Sequence, residues 1–166
     1  MPILSVGRAS RSARARGVTL IEMLLVVTII GLLTAVSFPT AAAGLESLRL
    51  ATACDAVAGF MNAGLIHADQ RRVPVELSVS TAEHVLTLRS TEPGWVKHLE
   101  LPGGIRVASV LPPLPMESEG PRRFLFYPGG TPARVGIELV NGKGTRRIVR
   151  VNPMTGVPDI ERPEAQ

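Results

Sequence analysis

The chain has 166 residues, 45% of them hydrophobic and 4% aromatic, with one cysteine and a formal charge of +4. A single cysteine excludes an intramolecular disulfide, and so few aromatic residues require a core of Val, Leu and Ile. The charge is confined: Arg8, Arg11, Arg14 and Arg16 precede any acid, and without these four the eighteen Lys and Arg fall to fourteen, balancing fourteen Asp and Glu. Such basicity speaks of topology and argues against a nucleic-acid partner.

Residues 18–38 are apolar except for Glu22, three threonines and Ser37. At 1.5 Å per residue they make roughly 30 Å of helix, the thickness of a bilayer core. The arginine leader ahead of them predicts its own side as cytoplasmic and the rest of the chain as outside. A secretory signal peptide cut after Ala41-Ala42-Ala43 has suitable flanks, but its apolar core is expected to span about 7–15 residues and to lack a carboxylate. A plain signal anchor explains the length and orientation and leaves Glu22 without a reason. A carboxylate near the membrane centre costs about 2.5–3.5 kcal/mol, so Glu22 is a functional candidate, the bland reading being that it snorkels to the interface.

Pro39 is expected to kink or open the helix, since it lacks an N–H and crowds the preceding turn. Helical signal resumes over residues 40–72, with Leu45, Leu48, Ala51, Cys54, Val57, Ala58, Met61, Leu65 and Ala68 recurring at three- and four-residue spacing. Cys54 reads as a buried small residue rather than a reactive thiol. Gly44, Gly59 and Gly64 lower helix propensity and permit close packing or bends.

Pro74 ends that pattern, and alternation predicts strands over residues 73–79 and 85–88 around a turn at 80–83. Residues 95–101 and 105–110 follow Pro93-Gly94 and Pro102-Gly103-Gly104. Residues 112–121, rich in proline, read as a loop. Strands are expected over 124–127, 135–140 and 147–151, the last two joined by a hairpin at Asn141-Gly142-Lys143-Gly144. Residues 152–161 read as a turn-rich tail. A long helix followed by an antiparallel sheet is an α+β arrangement.

Gly17, Thr19, Leu20, Ile21 and Glu22, with an apolar helix after them, resemble the N-terminus of type IV pilins and type II secretion pseudopilins. Gly31 and Pro39 fall where that family often has glycine and proline; Val18 replaces its usual phenylalanine. The resemblance implies a pilin-like fold, cleavage by prepilin peptidase between Gly17 and Val18, and N-methylation of Val18. It also implies that Glu22 serves filament assembly, its carboxylate meeting the Val18 amino group of a neighbouring subunit so that two buried charges offset each other's desolvation. Residues 68–77, the Phe126-Tyr127-Pro128-Gly129-Gly130-Thr131 segment and Ile148-Val149-Arg150-Val151 followed by Thr155-Gly156 resemble the minor pseudopilin H family and the T-type fimbrial minor pilins. No acidic C-terminal loop resembles the calcium-carrying loop of the major pseudopilin, and the presence of Glu22 and absence of a large insertion differ from the K-type tip subunit.

The division that follows is a leader at 1–17, a membrane and filament-core helix at 18–39, an amphipathic continuation at 40–72 and a periplasmic β-rich domain at 73–166. The expected function is a structural minor pseudopilin of a type II secretion system, in the bacterial inner membrane and then in a periplasmic filament. Its expected partners are prepilin peptidase, the inner membrane and other pseudopilins through the N-terminal helix. A minor type IV pilin that primes pilus assembly or binds DNA is the alternative, and a membrane-anchored periplasmic binding domain that never polymerises is the third.

No catalysis, cofactor, metal or small-molecule substrate is expected. His67, His84 and His98 lack metal-ligand spacing and read as scattered, solvated side chains. Gly142-Lys143-Gly144-Thr145 shares part of a phosphate loop but lacks its earlier glycine and following helix. Arg122, Arg123, Arg146, Arg147 and Arg150 would form a basic stripe able to contact DNA phosphates if their strands were neighbours; the favoured reading makes them solvated outward positions.

Overall fold

A computed structural model describes residues 18–114, 120–130 and 133–162. It divides into two compact units, Met1–Thr40 and Ala41–Gln166. Helix α1 runs Leu20–Arg71, 52 residues. Helical conformation continues through Pro39, the position of the expected kink or opening. One proline removes a single N–H bond, and the bonds of the turns on either side persist.

In the first unit the helix is apolar all round. Leu20, Ile21, Leu24, Val27, Ile30 and Leu33 are exposed, as are others between them. The hydroxyls of Thr28 and Thr34 donate back to the carbonyls of Leu24 and Ile30 at 2.7 and 2.8 Å, which hides their polarity within the helix. Among the described residues no helix is long and apolar enough to cross a membrane.

The second unit joins the rest of α1 to two antiparallel sheets. Strands β1 (Val75–Ser80), β2 (Val85–Ser90), β3 (Val96–Glu100) and β5 (Arg122–Phe126) make the first, in the order β3-β2-β1-β5. Strands β4 (Ile105–Leu111), β6 (Gly136–Asn141), β7 (Arg146–Val151) and β8 (Pro158–Glu161) make the second, in the order β4-β6-β7-β8. The chain thus visits the first sheet, leaves for β4, returns for β5 and finishes in the second. Strand β8 corrects the expected turn-rich tail: it pairs with β7 from Ile148↔Glu161 to Val151↔Pro158. Strand β5 begins two residues before the expected start, so Arg122 and Arg123 belong to the sheet.

One core serves both sheets. Strand alternation places Val75, Leu77, Val79, Leu86 and Leu88 inward from the first sheet, and Ile137, Leu139, Val149 and Val151 from the second. Against them α1 sets Leu50, Ala53, Cys54, Val57, Met61 and Ala68, a stripe at three- and four-residue spacing. The stripe differs from the expected one at its start: Leu45 and Leu48 are exposed at 57% and 65%. Hydropathy places leucine on a face, but contact with the sheets selects Leu50 and Ala53 instead.

Gly64 lies on this face. A Cβ there would sit 2.7 Å from Leu88 Cδ2 and 3.3 Å from Phe126 Cδ2, so glycine lets α1 approach β2 and β5 closely. The helix closes with Arg72 at φ 58° and the Val73 N–H donating to the Ala68 carbonyl at 3.3 Å, the bond pattern of a Schellman end. At the expected hairpin, Gly144 takes φ 81° and its N–H donates to the Asn141 carbonyl at 3.0 Å. Asn141 Oδ1 accepts from the N–H groups of Lys143 and Thr145, which satisfies this buried side chain.

Candidate functional site

The N-terminal segment begins with a cap. Thr19 precedes the first helical residue, and the Glu22 N–H donates to its Oγ1 at 3.3 Å while the Met23 N–H donates to its carbonyl at 3.2 Å. Thr19 is the N-cap and Glu22 is the N3 residue, the spacing of a capping box. This role of Thr19 was legible in the Thr-x-x-Glu spacing ahead of an apolar run and was missed. A carboxylate in the first turn is also favoured by the helix dipole, by about 0.3–1 kcal/mol when exposed. Glu22 is exposed and takes part in no ion pair among the described residues.

Val18, just before the cap, is 64% exposed. Gly17, the other half of the expected cleavage pair, lies outside the described residues. The geometry of this end is a capped helix carrying one acid close to its start, apolar on every side thereafter.

The arginines do not form one stripe. Arg122 and Arg123 lie on β5 in the first sheet, and Arg146, Arg147 and Arg150 on β7 in the second. Arg122 Nη1 donates to the carbonyls of Val110, in a short bond, and of Pro112, at 2.7 Å, while its guanidinium lies 5.2 Å from the Phe124 ring centre. It occupies carbonyls at the end of β4 and ties the two sheets together. Arg123 faces Glu76 at 3.9 Å, Arg146 meets Glu138 at 3.2 Å and Arg150 meets Glu161 at 3.7 Å. Arg122 and Arg146 are hydrogen-bonded within the fold and the five are divided between two sheets, which lowers their value as a continuous phosphate track. Arg147 points to the core side of β7, in line with Val149 and Val151.

The histidines serve three separate places. His67, on α1, stacks on Trp95 with ring centres 3.9 Å apart at 15°, and its Nε2 lies 3.5 Å from Glu92 Oε2 without forming a hydrogen bond. Its side chain is only 12% exposed, which corrects the expectation of a solvated residue. His84 Nδ1 accepts from the Val107 N–H at 3.4 Å, a second tie between the sheets. His98 Nδ1 lies 3.1 Å from Thr87 Oγ1 across the β2–β3 pair. Among the described residues, no three His, Cys, Asp or Glu side chains come together in a way that could hold a metal ion.

Cys54 is fully buried on the core stripe of α1. Burial pushes its thiol up to about 11, against a smaller opposing pull from Arg147 and a small push from Asp55. Such a thiol is a packing residue rather than a nucleophile near neutral pH.

Two segments singled out in the sequence meet in space. Asp69, near the end of α1, accepts a 2.9 Å hydrogen bond at Oδ1 from the N–H of Gly129 in the Pro128-Gly129-Gly130 turn. The bond fastens the helix end to the loop that follows β5.

Comparison with known proteins bears on the N-terminal site. Residues 12–38 match the prokaryotic N-terminal methylation motif. The match takes in Gly17, Val18, the Thr19–Glu22 cap and the apolar helix up to Phe38. No curated protein and no solved structure matches the chain.

Proposed function

We propose that this chain is a minor pseudopilin of a type II secretion system, a structural and non-catalytic subunit. The observation that carries the reading is the match of residues 12–38 to the N-terminal methylation motif, with Glu22 one turn into a helix that is apolar on all sides. Such a surface is unfavourable in water, at about 25 cal/mol per Å² of exposed apolar area, and calls for lipid or other apolar helices around it.

In this reading residues 1–17 are a leader that stays in the cytoplasm, and residues 18–39 anchor the chain in the inner membrane. Prepilin peptidase cuts between Gly17 and Val18 and the new amino group of Val18 is methylated. Residues 18–39 then leave the lipid for a filament core of like helices. There the Glu22 carboxylate meets the Val18 ammonium of the next subunit, which offsets the desolvation of both. The domain of residues 73–166, with the helix of 40–72 packed on it, faces the periplasm and other pseudopilins or cargo.

Intact-mass analysis of the protein from its native host tests the reading. A terminus at Val18, with or without a methyl group, is the expected result. A terminus at Met1 or close to Gly44 would overturn it in favour of an anchored domain that does not polymerise. Deletion then separates the pseudopilin from a minor type IV pilin: loss of exoprotein secretion is expected, whereas loss of twitching or transformation alone would assign the chain to a pilus.

A further inference from the structure

A cavity of about 470 Å³ opens beside the ends of β4, β6 and β7, away from the capped N-terminus of α1 in sequence and within the second unit. Its volume is in the roughly 300–1,000 Å³ range of small-ligand sites. Leu111 and Pro112 are among its apolar lining residues, and Arg134, Arg150 and Glu161 are its charged ones.

Gly136 keeps its floor open. It pairs with Leu111 on one side and with Arg150 on the other. A Cβ at this position would lie 3.3 Å from Leu111 Cβ and Cδ1 and 3.6 Å from Arg150 Nε. Any larger side chain would fill the space between the apolar wall and the cation.

Arg150 already faces one carboxylate. Its Nη1 lies 3.7 Å from Glu161 Oε2, an ion-pair distance beyond the 2.7–3.2 Å of an N–H···O hydrogen bond. Among the described residues neither Arg134 nor Arg150 donates a side-chain hydrogen bond. A guanidinium presents five N–H groups in a planar fork suited to bidentate carboxylate binding, and that capacity is not used by Glu161.

We propose that this cavity binds an organic carboxylate with an apolar body, the carboxylate held by Arg150 and Arg134 and the body against Leu111 and Pro112. Two sources carry that chemistry, a free apolar carboxylic acid and the C-terminal residue of a peptide. Glu161 competes for Arg150 and sets the affinity of the site.

The test titrates the full chain, isotope-labelled in non-ionic detergent micelles, with N-acetyl-leucine, with acetyl-Gly-Gly-Leu and with the C-terminal amide of that peptide, following the Gly136 and Val151 amide signals. Saturable binding of the acids is expected, with the amide about tenfold weaker or more. Arg150→Gln should weaken acid binding by about tenfold and Arg134→Gln by several-fold, whereas Glu161→Gln should strengthen it by several-fold. The last change runs opposite to what general damage to the fold produces. A tripeptide that binds about tenfold tighter than N-acetyl-leucine identifies a peptide C-terminus as the source, and equal affinities identify a free acid. The proposal is overturned if none of the probes saturates, if the amide binds as well as the acid, or if the arginine variants leave the affinity unchanged.

Discussion

Gly64 and Gly59 lie on the same helix, five residues apart, and should respond in opposite directions to the same added methyl group. At Gly59 nothing lies within 4 Å of the new Cβ. Gly59→Ala should therefore deliver the ordinary helix-propensity gain of about 0.8–1 kcal/mol. At Gly64 the new Cβ meets Leu88 Cδ2 at 2.7 Å, Leu88 Cδ1 at 3.2 Å and Phe126 Cδ2 at 3.3 Å. Normal carbon contacts lie at about 3.5–4.0 Å, so the nearest atom must retreat by roughly 1 Å. Leu88 and Phe126 are both buried, with no solvent to swing into. Overpacking of this kind costs about 1–3 kcal/mol, which cancels or exceeds the same propensity gain. Because the propensity contribution is common to both variants, Gly64→Ala should be less stable than Gly59→Ala by about 1–3 kcal/mol. Urea unfolding of the full chain in micelles, followed by the fluorescence of Trp95, the single tryptophan, measures the difference. Combining Gly64→Ala with Leu88→Val, which removes the clashing Cδ atoms, should recover part of the loss beyond additivity. Equal stabilities for the two alanine variants, within about 0.5 kcal/mol, would refute the close approach of α1 to β2 and β5.

Under the proposed function, Glu22→Ala should leave membrane insertion intact and abolish incorporation into a filament; incorporation at the normal level would contradict the assembly role. Arg72→Gly should stabilise the fold by about 0.5–1 kcal/mol, because Arg72 holds φ 58° at the helix end, a conformation that costs glycine little; chemical denaturation reads the change. Cys54 imposes a pH dependence of defined sign. Its folded thiol, raised to about 11 from 9.0, resists ionisation that the unfolded chain undergoes, so its contribution is fully present below pH 9.0 and is lost as pH rises toward about 11. Cys54→Ala should flatten the stability profile in that window, and in the native chain a thiol reagent at pH 8 should react only on unfolding.

Legibility followed the range of the interactions involved. The N-terminal motif and the Asn141–Thr145 hairpin could be read because cap, turn and period are set by neighbours in sequence. Alternation likewise indicated most strands. Their distribution between two sheets could not be read, since nothing local to β4 says that it pairs with β6 rather than β3. The arginines show the consequence: five cations near strands appeared able to form a stripe, but β5 and β7 belong to different sheets and Arg122 turns to the carbonyls of Val110 and Pro112. Strand β8 was hidden because its four residues include Pro158 and Asp159, poor strand formers that pairing with β7 accommodates at an edge. On α1, Leu45 and Leu48 matched the hydrophobic period as well as Leu50 and Ala53 did. Only the position of the sheets decides between such faces.

The interlaced path of the chain has a mechanical consequence. Strand β4 belongs to one sheet while β3 before it and β5 after it belong to the other, and Arg122 and His84 cross between them. Neither sheet is a contiguous piece of polypeptide, so neither can be peeled away while the other stays whole. Load entering through the helix from residue 41 onward reaches a body in which both layers must yield together. A domain built this way resists being pulled apart piecemeal.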